Sequence, residues 1–412
     1  MIIRREKYLN DLILRMHNGM IKVITGISQS GKTYLLFNIF TSYLESTGVD
    51  RSHIISIQLD FRKNTGLRNP DQLLAWIEPQ IKDNQSYYIL IDEVQMLDDF
   101  EAVLNQLSSR SNVDLYVTRS NSRFLSRDVL TEFRGRGDEI HIYPLTFKEF
   151  CTVYPNDKYA AWDSYYQYGG LPYAVLAQTE EQKVHYLTSL FEETYIKDIL
   201  ERHALKKTRE LDDLINVLAS SAGSLTSPDK ISATFKSKIN SSISPSTVSL
   251  YISYLEEAFL IKEASRYDVK GRKYIGSPKK YYFEDVGLRN ARLGFRQTEE
   301  NHIMENIIFN ELRYRGYSVD VGVVDKRRAN THSHLEIDFV ANKGSERYYI
   351  QSAFSIPDEE KEAQEKNSLI NVNDSFKKIV VVKDPISIRR DDQGIVTVGI
   401  YEFLLNDNSL KD

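Results

Sequence analysis

The chain has 412 residues, of which 41% are hydrophobic and 27% charged, and its formal net charge is −5 at pH 7. That length exceeds what one hydrophobic core fills, since single cores stop growing near about 250–300 residues, so more than one folded unit is expected. The mixed, mildly acidic charge excludes a chain that coats nucleic acid by bulk attraction, and no stretch approaches the about 20 apolar residues of a membrane-spanning helix.

The lone cysteine, Cys151, cannot form a disulfide within the chain, and beside Phe150 it reads as a small buried hydrophobe rather than a nucleophile. Met1-Ile2-Ile3-Arg4-Arg5-Glu6 lacks the apolar run of a secretory leader, which together with the single cysteine predicts a soluble, cytoplasmic protein.

Leu9, Leu12, Ile13 and Met16 recur at helical spacing and predict a first amphipathic helix. Ile21-Lys22-Val23-Ile24-Thr25 reads as a strand, and Tyr34 to Phe40 as the start of a helix. Between them, Gly26-Ile27-Ser28-Gln29-Ser30-Gly31-Lys32-Thr33 matches the phosphate-loop pattern G-x-x-x-x-G-K-S/T at every fixed position. A polyphosphate needs converging N–H donors; glycines let the backbone turn towards it, and the helix N-terminus adds donors and positive potential. In that reading Lys32 reaches the β- and γ-phosphates and Thr33 places its hydroxyl on Mg²⁺. The nucleotide-contacting set is Gly26, Ser28, Gln29, Ser30, Gly31, Lys32, Thr33 and Tyr34. A plain Gly/Ser turn would use the same residues; the strand before and the helix after favour the phosphate reading.

Ile54 to Asp60 predicts a second strand, and Pro70 to Ile81 a helix opened by proline. Tyr87-Tyr88-Ile89-Leu90-Ile91-Asp92-Glu93 is an apolar strand ending in two acids. Beside a phosphate loop, Asp92 would hold the Mg²⁺ shell and Glu93 would polarise the water that attacks the γ-phosphate. Without that loop they would be two acids on a solvated strand end. Val113 to Thr118 is a fourth strand, and its end, Ser120-Asn121-Ser122, lies beside the γ-phosphate if the strand inserts between the loop strand and the acid strand. A polar side chain there would sense phosphate or align water, with an ordinary polar turn as the equal alternative. Ile140-His141-Ile142 adds a fifth strand. Strands alternating with helices predict the α/β class, a parallel sheet in the order 5-1-4-3-2, and a ligand at the carboxyl ends of its strands.

Taken together, Ile24-Thr25-Gly26 with Ser30-Gly31-Lys32-Thr33, Ile91-Asp92-Glu93-Val94-Gln95, Ser120-Asn121-Ser122, Gly135-Arg136, Pro144 to Phe150 and Gly169-Gly170-Leu171-Pro172 carry a resemblance. The chain resembles the prokaryotic AAA-type ATPases with a C-terminal nuclease-like domain, relatives of the signal-transduction ATPases with numerous domains, over essentially its whole length. The resemblance implies ATP as the nucleotide and Asn121 or Ser120 as the phosphate sensor. It also implies Arg136 as an arginine finger, acting in cis or on a neighbouring subunit, and a Gly-x-Pro lid turn with Pro172 near the adenine. A surface arginine and an ordinary interhelical turn describe those last two equally well. Arg119 departs from the small residue usual in the family and would put a long cation near the sensor.

From Lys148 to about His203 the pattern is helical, and its aromatics, Trp162, Tyr165, Tyr166, Tyr168, Tyr186, Phe191 and Tyr195, are expected as core. Leu211 to Ala222, Pro228 to Ser237 and Pro245 to Ala258 predict three helices. A hairpin of Leu260–Tyr267 and Lys280–Phe283 follows, the make-up of a winged helix. Residues 262–296 hold ten Lys/Arg against four Asp/Glu, with Tyr267, Tyr274, Tyr281 and Tyr282 interleaved. Contact with double-stranded DNA along its phosphates is one expectation for this stretch, and a protein-contact module the other.

Ile303 to Arg315 predicts a helix carrying Glu305, followed by strands at Tyr317–Val321, Glu336–Ala341, Tyr348–Phe354, Ile379–Val382 and Ile395–Val398 and a final helix at Ile400–Leu405. A helix-borne Glu, an Asp on one strand and Glu-x-Lys on the next form the metal-nuclease arrangement. Glu305 and Asp338 are present, but the third element is Gln351-Ser352-Ala353. One carboxylate and the lysine are missing, so the fold is expected without the cutting.

The sequence thus predicts a P-loop NTPase core at 1–146, a helical lid at 147–206, a winged-helix-like domain at 207–296 and a degenerate nuclease-like α/β domain at 297–412. The expected activity is Mg²⁺-dependent ATP hydrolysis, with Lys32, Glu93, Asn121 and Arg136 catalytic and Thr33 and Asp92 on the metal. ATP and Mg²⁺ are the expected cofactors; duplex DNA, a protein client and further copies of the chain are the candidate partners. A nucleotide switch without hydrolysis is the second reading, and an ATP-fuelled nuclease the third.

Overall fold

The computed structural model describes residues 3–120, 135–154, 157–205, 209–239, 243–296, 299–328 and 331–411. The chain divides into two compact units, residues 1–144 with 257–259, and residues 145–256 with 260–412.

In the first unit, strands β1 (Ile21–Thr25), β2 (Ile54–Gln58), β3 (Tyr87–Asp92), β4 (Val113–Thr118) and β5 (Gly137–His141) form a sheet in the order β2-β3-β4-β1-β5. Every pairing in it is parallel, and the order is the expected one. All residues of β1 and β3 are buried, as a parallel sheet covered on both faces requires. One face sets Val23, Ile57, Ile89, Ile91, Leu115 and Val117 against Leu73 and Ile77 of helix Pro70–Ile77 and Val103, Leu104 and Leu107 of helix Phe100–Ser108. On the other face the Tyr116 ring lies 4.7 Å from that of Phe40, in the helical run after the glycine-rich loop. The helix opened by Pro70 ends earlier than expected and passes into a 3-10 turn at Glu78–Gln80. Pro79 has no N–H for the next helical bond, and its ring clashes with the preceding turn.

The amino-terminal edge of this sheet encloses charge. Lys22 is 0% exposed, and its ammonium bonds the Asp114 carboxylate, which also accepts from Tyr116 OH (2.8 Å) and the His17 backbone N–H (3.1 Å). Lys22 Nζ further donates to Met20 O at 2.9 Å and lies 4.8 Å from the Tyr116 ring centre. Burial pulls the Lys22 ammonium below its ordinary pKa, and Asp114 opposes that pull.

The second unit begins with helices Phe147–Cys151, Lys158–Tyr168, Pro172–Leu176 and Glu180–Ser189, a wide-turn segment Leu190–Ile196, and helix Lys197–Arg202. Trp162 and Tyr168 are buried, and the Phe147 ring sits 5.7 Å from Trp162 and 5.4 Å from Tyr165, so these aromatics are core. Cys151 is half-buried, and burial pushes its thiol up to about 11, which keeps it protonated and inert.

Helices Arg209–Ser220, Pro228–Thr234 and Pro245–Glu257 follow, then β6 (Ile261–Asp268) and β7 (Lys273–Phe283), paired antiparallel. β6 also pairs in parallel with β8 (Ser318–Arg328), so the hairpin expected as a wing continues the C-terminal sheet. The remaining strands are β9 (Thr331–Lys343), β10 (Glu346–Ala353), β11 (Lys377–Val382), β12 (Arg389–Arg390) and β13 (Val396–Gly399). The sheet runs β12-β13-β11-β10-β9-β8-β6-β7, on both sides of the boundary expected at 296/297. Its core gathers Val324, Ile337, Val340, Tyr349, Val380 and Leu369.

Much of the positive charge in 262–296 is spent inside this unit. Lys279 pairs with Glu263 (2.6 Å), Arg289 donates to Ala219 O (2.9 Å), and Arg292 pairs with Glu192 (2.8 Å) and Asp212 (3.4 Å). Lys280 is buried among acids, and Tyr281 and Tyr282 are core, while Lys270, Arg272, Lys273, Tyr274 and Arg296 are exposed. Among the described residues, no helix is long and apolar enough to cross a membrane.

Candidate functional site

The loop after β1 is shaped by its glycines. Gly26 has φ +138°, and a Cβ there would sit 2.2 Å from Ile142 O, so only glycine permits this approach. Gln29 (φ +63°) and Gly31 (φ +95°) are also left-handed and bend the chain back into the helix that opens at Lys32. A run of this kind aims successive N–H groups into one concavity, as an anion requires. Arg5 clamps the loop from outside, with Nη1 on Ser30 O (3.2 Å) and Nη2 on Tyr143 O (2.6 Å). Nothing in the sequence pattern singled out Arg5; only the contact with the loop does.

Lys32 is 4% exposed, and its Nζ donates to Gly26 O (2.9 Å) and Ile27 O (3.0 Å). Ser30 is fully buried, and its Oγ has no hydrogen-bond partner among the described residues. Ser28 is half-buried, while Gln29 and Tyr34 are exposed.

The acids converge on this loop because β4 stands between β3 and β1 and all three strands point the same way. Asp92, 2% exposed at the end of β3, accepts from Thr33 Oγ1 at 2.9 Å and from Thr118 Oγ1. Thr118 Oγ1 in turn accepts from the Glu93 backbone N–H at 2.9 Å, so one hydroxyl fixes both acids. Thr118 was not anticipated as a site residue, because a threonine closing an apolar strand looks like any β-former. Glu93 has φ +52°, a conformation side chains other than glycine rarely hold without a reason, and its carboxylate accepts from Ser120 Oγ and Gln95 Nε2. Arg119, expected as a long cation near the sensor, is buried with its guanidinium 5.1 Å over the Phe100 ring.

Burial holds the Asp92 carboxyl above its ordinary 3.8, and the charge of Glu93 adds to this, while the threonine hydrogen bonds pull the other way. An acid raised by folding stabilises the native state where it is protonated. That contribution is full below pH 3.8 and is lost as pH rises through the raised value, so near neutrality the ionised Asp92 costs stability. Asp92→Asn is therefore expected to raise the Tm at neutral pH, by about 2–4 °C for each kcal/mol regained. Thermal melts of both proteins check this, and an unchanged or lower Tm would contradict the burial cost.

The other expected site residues are distributed differently. Asn121 lies outside the described residues. Arg136 is exposed just before β5, and its carbonyl accepts from Ile21 N (2.6 Å) at the amino-terminal edge of the sheet. The loop and acids lie at the carboxyl edge, a strand length of about 16 Å away. The arginine-finger role in cis is corrected accordingly: parallel pairing of β5 with β1 holds Arg136 at the far end of its own sheet. Pro172 opens helix Pro172–Leu176 in the second unit. In the turn before it, Gly170 N donates to Asp285 Oδ2 (2.8 Å), and a Cβ on Gly170 would meet Leu145 O at 2.2 Å.

Glu305 and Asp338 are brought together in the second unit, both on the Lys280 ammonium, with Glu305 Oε1 at 2.9 Å and Asp338 Oδ1 at 3.3 Å. The lysine is absent from Gln351-Ser352-Ala353, as expected; an ammonium that sequence reading did not connect with these acids reaches them from β7, through Lys280.

Residues 18–151 match an AAA domain family, and residues 159–299 match a domain of unknown function. An uncharacterized protein of Haemophilus influenzae is 34% identical over 410 residues, covering 98% of this chain and 99% of that protein. An uncharacterized protein of Methanocaldococcus jannaschii is 27% identical over 378 residues, 89% of this chain and 82% of that protein. Among solved structures, the Aeropyrum pernix ORC1 protein in complex with DNA aligns with 71% of this chain and 93% of its own, at 14% identity and a TM-score of 0.33. Residues 18–151, which match the AAA domain family, carry the parallel sheet of a P-loop NTPase core, and the chain belongs to the same family as the Haemophilus influenzae protein.

Proposed function

We propose that the chain binds ATP in the loop of residues 26–34 and hydrolyses it to ADP and phosphate with Mg²⁺. The observation that carries this reading is the pair of acids at the end of β3: Asp92 is bonded to the loop through Thr33, and Glu93 stands next to it with its carboxylate held by Ser120 and Gln95.

The residues fit the nucleotide. Lys32 spends its ammonium on two loop carbonyls, donor capacity that a β/γ-phosphate would take over, and the Ser30 hydroxyl, without a partner among the described residues, is a further polar atom inside the loop. They also fit the metal, since the Thr33 hydroxyl and the Asp92 carboxylate are the oxygen ligands that a hard cation prefers. When bound, Mg²⁺ supplies positive charge to the phosphate oxygens. Lys32 neutralises the charge that builds on the transferring phosphoryl group, and the loop N–H groups hold it in line. Glu93 accepts the proton of the attacking water, and Thr118 keeps the two acids from drifting apart. Arg136 takes no part at its own chain's nucleotide.

Phosphate release from ATP by the purified chain tests the reading. The account expects turnover that needs Mg²⁺ and follows protein concentration, and no release above background with Mg²⁺ present would contradict it.

A further inference from the structure

The second unit contains a cage of three carboxylates closed around one ammonium. Lys280 Nζ lies 2.9 Å from Glu305 Oε1, 2.8 Å from Glu336 Oε1 and 3.3 Å from Asp338 Oδ1, and its side chain is 3% exposed. An ammonium has three N–H donors and no acceptor; it donates to Glu305 Oε1 and Asp338 Oδ1, and Glu336 adds its charge at 2.8 Å. Two of the acids are themselves fixed. Glu305 also accepts from Tyr282 OH (2.7 Å), and Asp338 Oδ2 accepts from the Ser352 backbone N–H (2.9 Å). Burial alone would lower the Lys280 pKa, but the surrounding Tyr282, Glu305, Asp338 and Glu336 hold it well above the ordinary range, so the lysine stays charged.

The three acids come from a helix, Glu300–Tyr314, and from alternate positions of one strand, β9, which places Glu336 and Asp338 on one face. Oxygen ligands converging from a helix and a strand are what a hard divalent cation would use. Here the cation is covalently part of the chain, delivered by β7 from the far edge of the same sheet.

We propose that Lys280 is a built-in cation: its ammonium takes the place of a divalent ion in the Glu305–Glu336–Asp338 cage and holds this cage together without a metal. A divalent ion entering the cage would meet a fixed positive charge that the same carboxylates already satisfy. The centre is therefore a structural lock rather than a metal site, its carboxylates committed to a fixed ammonium although Glu336 keeps 37% of its side chain exposed.

Mn²⁺ binding to the full chain without nucleotide, read by electron paramagnetic resonance of the free ion, tests this. In the unchanged chain, no Mn²⁺ uptake should depend on Asp338, so Asp338→Asn should leave the binding isotherm where it was. Lys280→Met removes the charge at similar length and should gain about one Mn²⁺ site per chain, lost again when Asp338→Asn is added. It should also regain thermal stability when Mn²⁺ is supplied. Mn²⁺ held by the unchanged chain and lost in Asp338→Asn would overturn the proposal, as would a folded Lys280→Met chain that takes up no more Mn²⁺ than its parent. Should Lys280→Met fail to fold even with Mn²⁺, the comparison of the unchanged chain with Asp338→Asn still decides.

Discussion

Glu93→Gln is expected to bind ATP as the unchanged chain does and to release phosphate about 10²–10⁴ times more slowly, the usual contribution of a positioned general base. The amide matches the carboxylate in shape, so the grip of Ser120 and Gln95 on this side chain and the backbone bond from Glu93 N to Thr118 are kept in outline. What is lost is the capacity to accept a proton from water. Single-turnover phosphate release beside a binding isotherm separates the two effects. Equal, negligible turnover in both proteins, with binding intact, would point instead to a nucleotide switch that does not hydrolyse.

Asp114→Ala should be the most damaging of the stability changes. The Lys22 ammonium is enclosed with Asp114, Tyr116 and the Met20 carbonyl, and removing the acid leaves a buried charge without its counter-ion. Such a break costs about 3–5 kcal/mol, read as a fall in the denaturant midpoint at unchanged m-value. The pH dependence identifies the cause. Folding already lowers the Lys22 pKa, and without Asp114 it would fall further, so the unfolded chain binds the extra proton. Stability of the variant should then rise with pH from its lowered folded pKa up to the ordinary 10.5, and its deficit should shrink on that path. A deficit that is constant with pH would mean lost packing rather than stranded charge.

The two buried cation clusters differ in how far the sequence foretold them from the nucleotide site. The phosphate loop is legible because its chemistry lies in eight consecutive residues, between a strand and a helix that any reading of hydrophobic pattern recovers. The order of the five strands followed for a related reason, since parallel strands joined by helices admit few arrangements and the acid pair must face the loop. The motif around Arg136 says nothing about which end of β5 it occupies. The parallel register with Ile21 decides that, and it is a tertiary fact. Lys22 on β1 and Asp114 on β4 were not linked in the sequence, since their pairing depends on β4 lying beside β1 in the sheet. Lys280 could not be assigned to Glu305 and Asp338 because nothing in the local sequence tells that the expected wing hairpin joins the C-terminal sheet through β6 and β8. Helix Glu359–Ile370 escaped for lack of an apolar stripe; only Lys366, Ser368 and Leu369 are buried on it.

Titration of the purified, nucleotide-free chain with Mg²⁺ and ATP in a calorimeter tests the central claim most directly. One saturable site per chain, lost in Lys32→Ala, is the predicted result. No heat of binding to any adenine or guanine triphosphate, from protein shown to be folded, would contradict it.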